Sequence, residues 1–90
     1  MTSERVATIE RLISEALDPV EILVKDTSHL HIGHAGAKDG RGHFDVRIVS
    51  DKFTGQSRIA RHRMVYHALG SFIDSDIHAL RINAVSPSDT

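Results

Sequence analysis

Ser57-Arg58-Ile59-Ala60-Arg61-His62-Arg63-Met64-Val65-Tyr66-His67-Ala68-Leu69-Gly70 reads as a helix set between two strands, and that order decides the fold. The spacing predicts a helix over Ser57 to Leu69, with Gly55 just before it and Gly70 closing it, since glycine adopts the left-handed C-cap conformation without steric cost. At about 100° per residue, Ile59, His62, Val65, Tyr66 and Leu69 share one face, with Arg63 and His67 opposite. His62, in the middle of that stripe, reads as a hydrogen-bonded core residue, and Tyr66 reads as core beside it. Upstream, Phe44, Val46 and Ile48 alternate with Asp45 and Arg47, the period of a strand with one buried face. Downstream, Ile77 to Ala84 alternates in the same way, placing His78, Leu80 and Ile82 on one side and Ala79, Arg81 and Asn83 on the other. A strand-helix-strand unit of this kind predicts two parallel strands joined by a right-handed crossover.

Toward the N-terminus, Val6, Ile9, Leu12, Ile13, Ala16 and Leu17 recur at helical spacing. Ser3 is the expected N-cap and Glu4 suits the positive end of the helix dipole. Pro19 stops the helix at about residue 17, because it lacks an amide donor and disfavours helical geometry before it. Val20, Ile22 and Val24 then alternate with Glu21 and Lys25 as a strand, expected antiparallel to the strand at 44–48. The expected architecture is a small α/β (α+β) domain ordered helix, strand, strand, helix, short helical turn near Phe72, strand. Its three-stranded mixed sheet carries the helices on one face. Residues 1–90 are taken as this single domain, with an ordered core over about 4–85, a flexible loop over 27–42 and a tail at 86–90.

The 90-residue length fits one domain that buries about 60–65% of the surface it exposes when unfolded. With 40% hydrophobic residues and a formal charge of -1, the composition is that of a globular protein and names no polyanionic partner. The N-terminus has no hydrophobic run behind a basic region, and no stretch approaches the roughly 18 apolar residues of a membrane span. A cytoplasmic location and no membrane association are expected.

The sequence has seven histidines and no cysteine. His29, His31 and His34 crowd into the glycine-punctuated stretch before His43, which opens a strand. Neutral imidazole ligates zinc, copper, nickel and iron, but selective iron-sulfur sites normally need thiolate as well, so a site built here takes any sulfur ligands from elsewhere. Two readings stand open for these side chains: solvated loop histidines, or ligands. His43 reads as a structural residue or as a support behind a ligand. A stand-alone zinc site from His31, His34 and His78 lacks an evident carboxylate unless Asp39 joins.

The run Phe53-Thr54-Gly55-Gln56-Ser57-Arg58-Ile59-Ala60-Arg61-His62-Arg63-Met64-Val65-Tyr66, followed by Ile77-His78-Ala79-Leu80, closely resembles the signature of the BolA family. Asp26-Thr27-Ser28 before the histidine loop and His43-Phe44 after it extend the resemblance over residues 4 to 86. It implies a fold similar to a class II KH domain. It also implies partnership with a monothiol glutaredoxin in iron-sulfur trafficking or iron and redox regulation, with a [2Fe-2S] cluster bridging the two proteins. By the resemblance, His78 is one cluster ligand. His31, in a Ser-x-x-His pattern, is the second, with His34 its competitor. The remaining ligands would be the partner's active-site cysteine and its bound glutathione, so no cofactor is expected in the isolated chain. Alone it is expected to be a monomer or weak homodimer.

The same resemblance implies a second role, as a DNA-binding regulator of transcription in cell morphology and the stress response. KH domains clamp the nucleic-acid backbone with a GxxG loop. Here Gly55-Gln56-Ser57-Arg58 lacks the second glycine, which leaves Lys52, Arg58, Arg61 and Arg63 to neutralise phosphates in weak, salt-sensitive binding. Those cations read equally as a solvated face. An enzyme is not expected: Ser50 or Ser57 with His62 and Asp51 supplies residue types, but no nucleophile-elbow or phosphate-binding glycine motif accompanies them.

Overall fold

The computed structural model describes residues 4–28 and 41–89, and the expected N-cap Ser3 and the histidines at 29, 31 and 34 lie outside them. The element order is α1 (Glu4–Leu17), β1 (Glu21–Asp26), β2 (Gly42–Val49), α2 (Arg58–Leu69), α3 (Phe72–Asp76) and β3 (Ile77–Val85). Short 3-10 turns at Asp51–Phe53 and Pro87–Asp89 follow β2 and β3. The three strands form one sheet in the order β1-β2-β3, with β1 antiparallel and β3 parallel to the central β2. This is the small α+β architecture expected, and a KH-like description is compatible with it.

The core forms where α1 and α2 cover one face of the sheet. Val6, Ile9, Ile13 and Leu17 line the inner face of α1, Phe44, Val46 and Ile48 face them from β2, and Val65 and Leu69 come from α2. Phe44 is 1% exposed, as its strand alternation predicts. α1 ends with Asp18 at φ 44°, a left-handed residue whose N–H donates to the Ser14 carbonyl, so the stop comes one residue before Pro19. Ser57 caps α2 by accepting from the Ala60 amide, and Gly70 at φ 56° closes it.

Three expectations are corrected. Val20 precedes β1 and is exposed, its amide donating to the Val49 carbonyl, while Ile22 and Val24 do turn toward the core. On α2, Ile59 and Tyr66 are exposed and His62 is only half-buried, so neither Tyr66 nor His62 belongs to the buried core. The inner face instead runs through Met64, Val65, Ala68 and Leu69, because α2 rotates to lay Arg61 against the end of β3. The third correction lies in β3. Gly42 pairs with Ile77 but His43 pairs with Ala79, so a β-bulge leaves His78 as the extra residue. Strict alternation fails there: Ile77 is buried, His78 and Ala79 are both exposed, and the inward pattern resumes at Leu80.

Candidate functional site

Because β2 and β3 run parallel, their first residues meet at one end of the sheet. Arg41 leads into β2 there, and Gly42 and His43 open it, beside Ile77 and His78 of β3. The imidazoles of His43 and His78 lie 5.1 Å apart, centre to centre, tilted at 51°. His43 is buried and His78 exposed, so the first ring backs the second. Arg41 reaches the same place, its Nη2 3.2 Å from His78 Nδ1.

The chain on either side of the histidine loop also converges here. The Thr27 amide donates to the His43 carbonyl, and the His43 amide donates to Ser28 Oγ at 3.0 Å. Ser28 is itself held by its amide donating to the Asp26 carboxylate in an Asx turn. Gly42 has to be glycine: a Cβ there would come within 2.5 Å of the buried Phe44 ring. A shallow depression of about 170 Å³, lined by Thr27, His43, Asp45 and Arg81 among others, lies alongside.

Of the residues singled out as ligands, the structure puts His78 at this rim. His31 and His34 lie outside the described residues. Among the described residues no group of three or more histidine, aspartate or glutamate side chains gathers into a metal centre. For a cluster taking one nitrogen from this chain at this point, His78 has suitable chemistry and exposure. Sequence reasoning missed Arg41 and the ring contact of His43 with His78. The topology signalled that contact, since parallel strands bring residues that open both of them to one end.

The second candidate group is dispersed. Arg58, Arg63 and Lys52 are exposed, but Arg61 is committed elsewhere. Its Nε donates to the Gln56 carbonyl and its Nη1 to the Ala84 carbonyl and the Asp89 carboxylate. The Arg61 side chain is only 14% exposed, and the bonds from Arg61 and from the Ser86 amide hold the Asp89 carboxyl below the usual carboxylate range. Arg61 is therefore a structural tie between α2 and the C-terminal turn, which corrects its reading as a phosphate contact. Beside it a cleft of about 340 Å³ is lined by Gln56, Arg58, Arg61, His62 and Ile82. Among the described residues no helix is long and apolar enough to cross a membrane.

Residues 13–89 match the family described as BolA-like protein. The chain is 40% identical over 89 residues to "Protein BOLA1, chloroplastic" of Arabidopsis thaliana, a match covering 96% of this chain and 56% of that protein. It is 39% identical over 75 residues to the "DNA-binding transcriptional regulator BolA" of Escherichia coli, covering 83% of this chain and 69% of the relative. The solved BolA domain of SufE1 from Arabidopsis thaliana superposes with a TM-score of 0.87 at 40% identity, covering all of both chains. This chain thus spans little more than half the length of the chloroplastic relative.

Proposed function

The chain belongs to the BolA family, and from that premise we propose that it is a non-enzymatic cytoplasmic adaptor that binds a monothiol glutaredoxin and shares with it a bridging [2Fe-2S] cluster as cargo. The observation that carries this reading is His78: an exposed imidazole on the unpaired residue of a β-bulge, backed by the buried His43 ring. A bulge re-aims a side chain that regular pairing would hold on one face. The second nitrogen comes from His31. It lies three residues past Ser28, whose hydroxyl accepts from the His43 amide at this end of the sheet, and three residues of chain span at most ~10 Å. His34, six residues past Ser28, is the alternative. The two sulfur ligands come from the partner's cysteine and its glutathione.

Two neutral imidazoles in place of two thiolates leave the cluster less negative, which raises its potential and eases its transfer. Two observations support this reading: Ser28 and its Asx turn anchor the chain up to residue 28, and the His43 ring lies behind that of His78. The test is anaerobic reconstitution with a monothiol glutaredoxin, glutathione and an iron-sulfur source, read by visible absorption and circular dichroism. His78→Ala is expected to abolish the spectrum of the mixed complex and His31→Ala to alter it. An unaltered spectrum in His78→Ala rejects the adaptor reading.

The relative from Escherichia coli, a DNA-binding transcriptional regulator, favours a second reading, DNA-linked regulation through exposed Arg58, Arg63 and Lys52. With Arg61 tied to Asp89, only a few phosphates are neutralised, so binding is expected to be weak and steeply salt-dependent. Equal duplex affinity after removing all three exposed cations argues against it.

A further inference from the structure

The contact that Arg41 makes bears directly on whether His78 can ligate anything. A guanidinium carries N–H donors only. With Arg41 Nη2 3.2 Å from His78 Nδ1, the arginine donates and the imidazole nitrogen accepts. Acceptance occupies the Nδ1 lone pair, and in a neutral imidazole the proton then sits on Nε2. A metal needs a nitrogen lone pair. In this arrangement one nitrogen of His78 is spent on Arg41 and the other is protonated.

Metal-bound histidines ordinarily donate their second ring N–H to a carboxylate, a carbonyl or water, which fixes the ring for ligation. Arg41 is the opposite kind of neighbour. A cluster binding through Nε2 would require the proton on Nδ1, pointing at an arginine N–H. A cluster binding through Nδ1 would have to displace the guanidinium outright. In the first case the Nε2 proton moves to Nδ1 through water as Arg41 withdraws. In the second the proton stays on Nε2 and only Arg41 moves. Both routes break the Arg41 contact first.

We propose that Arg41 is a guard on His78, competing with the incoming cluster for the imidazole and holding the isolated chain in a state that does not ligate. The inference rests on His78 being the cluster ligand, and it names the residue that sets how readily that ligand is released. Arg41 is a positioning residue: it acts through the ring of His78. The partners are on the surface, so the contact is a modest one. A single hydrogen bond of this kind sets the competition at roughly two- to tenfold in affinity.

The test has two arms, both on the full chain. In the apo protein, nitrogen-15 spectra of the imidazoles are compared between the wild type and Arg41→Ala. The expected result is a wild-type His78 with its proton on Nε2 and an Nδ1 signal that shifts when Arg41 is removed, at unchanged melting temperature. A wild-type His78 protonated on Nδ1, or an Nδ1 signal indifferent to Arg41→Ala, overturns the proposal. In the second arm, Arg41→Ala and Arg41→Gln are titrated into cluster-loaded monothiol glutaredoxin with glutathione and followed by visible circular dichroism. Both are expected to form the mixed complex roughly two- to tenfold more tightly than the wild type. Equal or weaker binding overturns the guard, whether or not His78→Ala abolishes the spectrum. If His78→Ala leaves that spectrum intact, the ligand assignment falls, and the competition falls with it. The apo spectra report the contact in either case.

Discussion

The two ends of the parallel β2–β3 pair are built from similar residues to opposite effect. At the far end, where both strands finish, the polar groups close on one another. Ser50 is fully buried, its hydroxyl donating to the Leu17 carbonyl and accepting from the Lys52 amide. Ser86 is also fully buried, sharing hydrogen bonds with Thr54 and Ser88, while its amide donates to the Asp89 carboxylate that Arg61 also holds. At the near end, where both strands begin, a bulge turns His78 outward and an arginine rests on it. A buried network that is fully satisfied stabilises the fold. An exposed imidazole and guanidinium add little stability and leave chemistry on offer.

Four substitutions or conditions sharpen that contrast. The largest loss is expected from Phe44→Ala, which empties a site in the core next in the chain to His43; about 3–5 kcal/mol is typical for a buried phenylalanine, a large share of a small domain's stability. Denaturant unfolding measures it. Gly42→Ala comes next, since its new methyl meets a Phe44 ring that is too well buried to step aside, at about 1–3 kcal/mol. Arg61→Ala opens the far end by removing the donor to Ala84, Gln56 and Asp89, with an expected loss of about 1–2 kcal/mol and no change in the spectrum of the mixed complex. A changed spectrum there would break the separation between the ends. The smallest effect is expected from His78→Ala, within about 0.5 kcal/mol of the wild type, as for an exposed position.

Acid probes the same contrast. The Asp89 carboxyl titrates lower in the folded chain than in the unfolded one, so its contribution is complete above the usual carboxylate range and is lost as pH falls through its folded value. Asp76, lowered by its bonds from Ser75 and Arg5, behaves alike where α3 meets α1. Unfolding curves at pH 7 and in the acid range are expected to show wild-type stability falling. Asp89→Asn is expected to lose less than the wild type on acidification, because it has already forfeited the ionised tie.

Much of this fold is legible from local rules. The bounds of α1, the crossover, the parallel pair and the Gly70 cap follow from spacing and capping chemistry, as does the burial of Phe44, Val46 and Ile48. The direction in which α2 faces does not. Its apolar residues are scattered round the helix, and the guanidinium of Arg61 finds the Ala84 carbonyl at the end of β3, which no periodicity reveals. The bulge at His78 is hidden for a related reason: alternation counts residues and assumes that each one pairs. The excess of histidine without cysteine was visible in composition, and the proposal of His78 as a ligand came by resemblance. Arg41 was not legible, since it meets His78 only once β2 and β3 lie side by side.

The most direct test is the visible circular dichroism of the anaerobically reconstituted complex of His78→Ala with a monothiol glutaredoxin and glutathione, alongside its unfolding curve. The expected result is loss of the mixed-complex spectrum from a protein as stable as the wild type. A wild-type spectrum in His78→Ala would contradict the assignment of the near end of the sheet as the cluster-binding site.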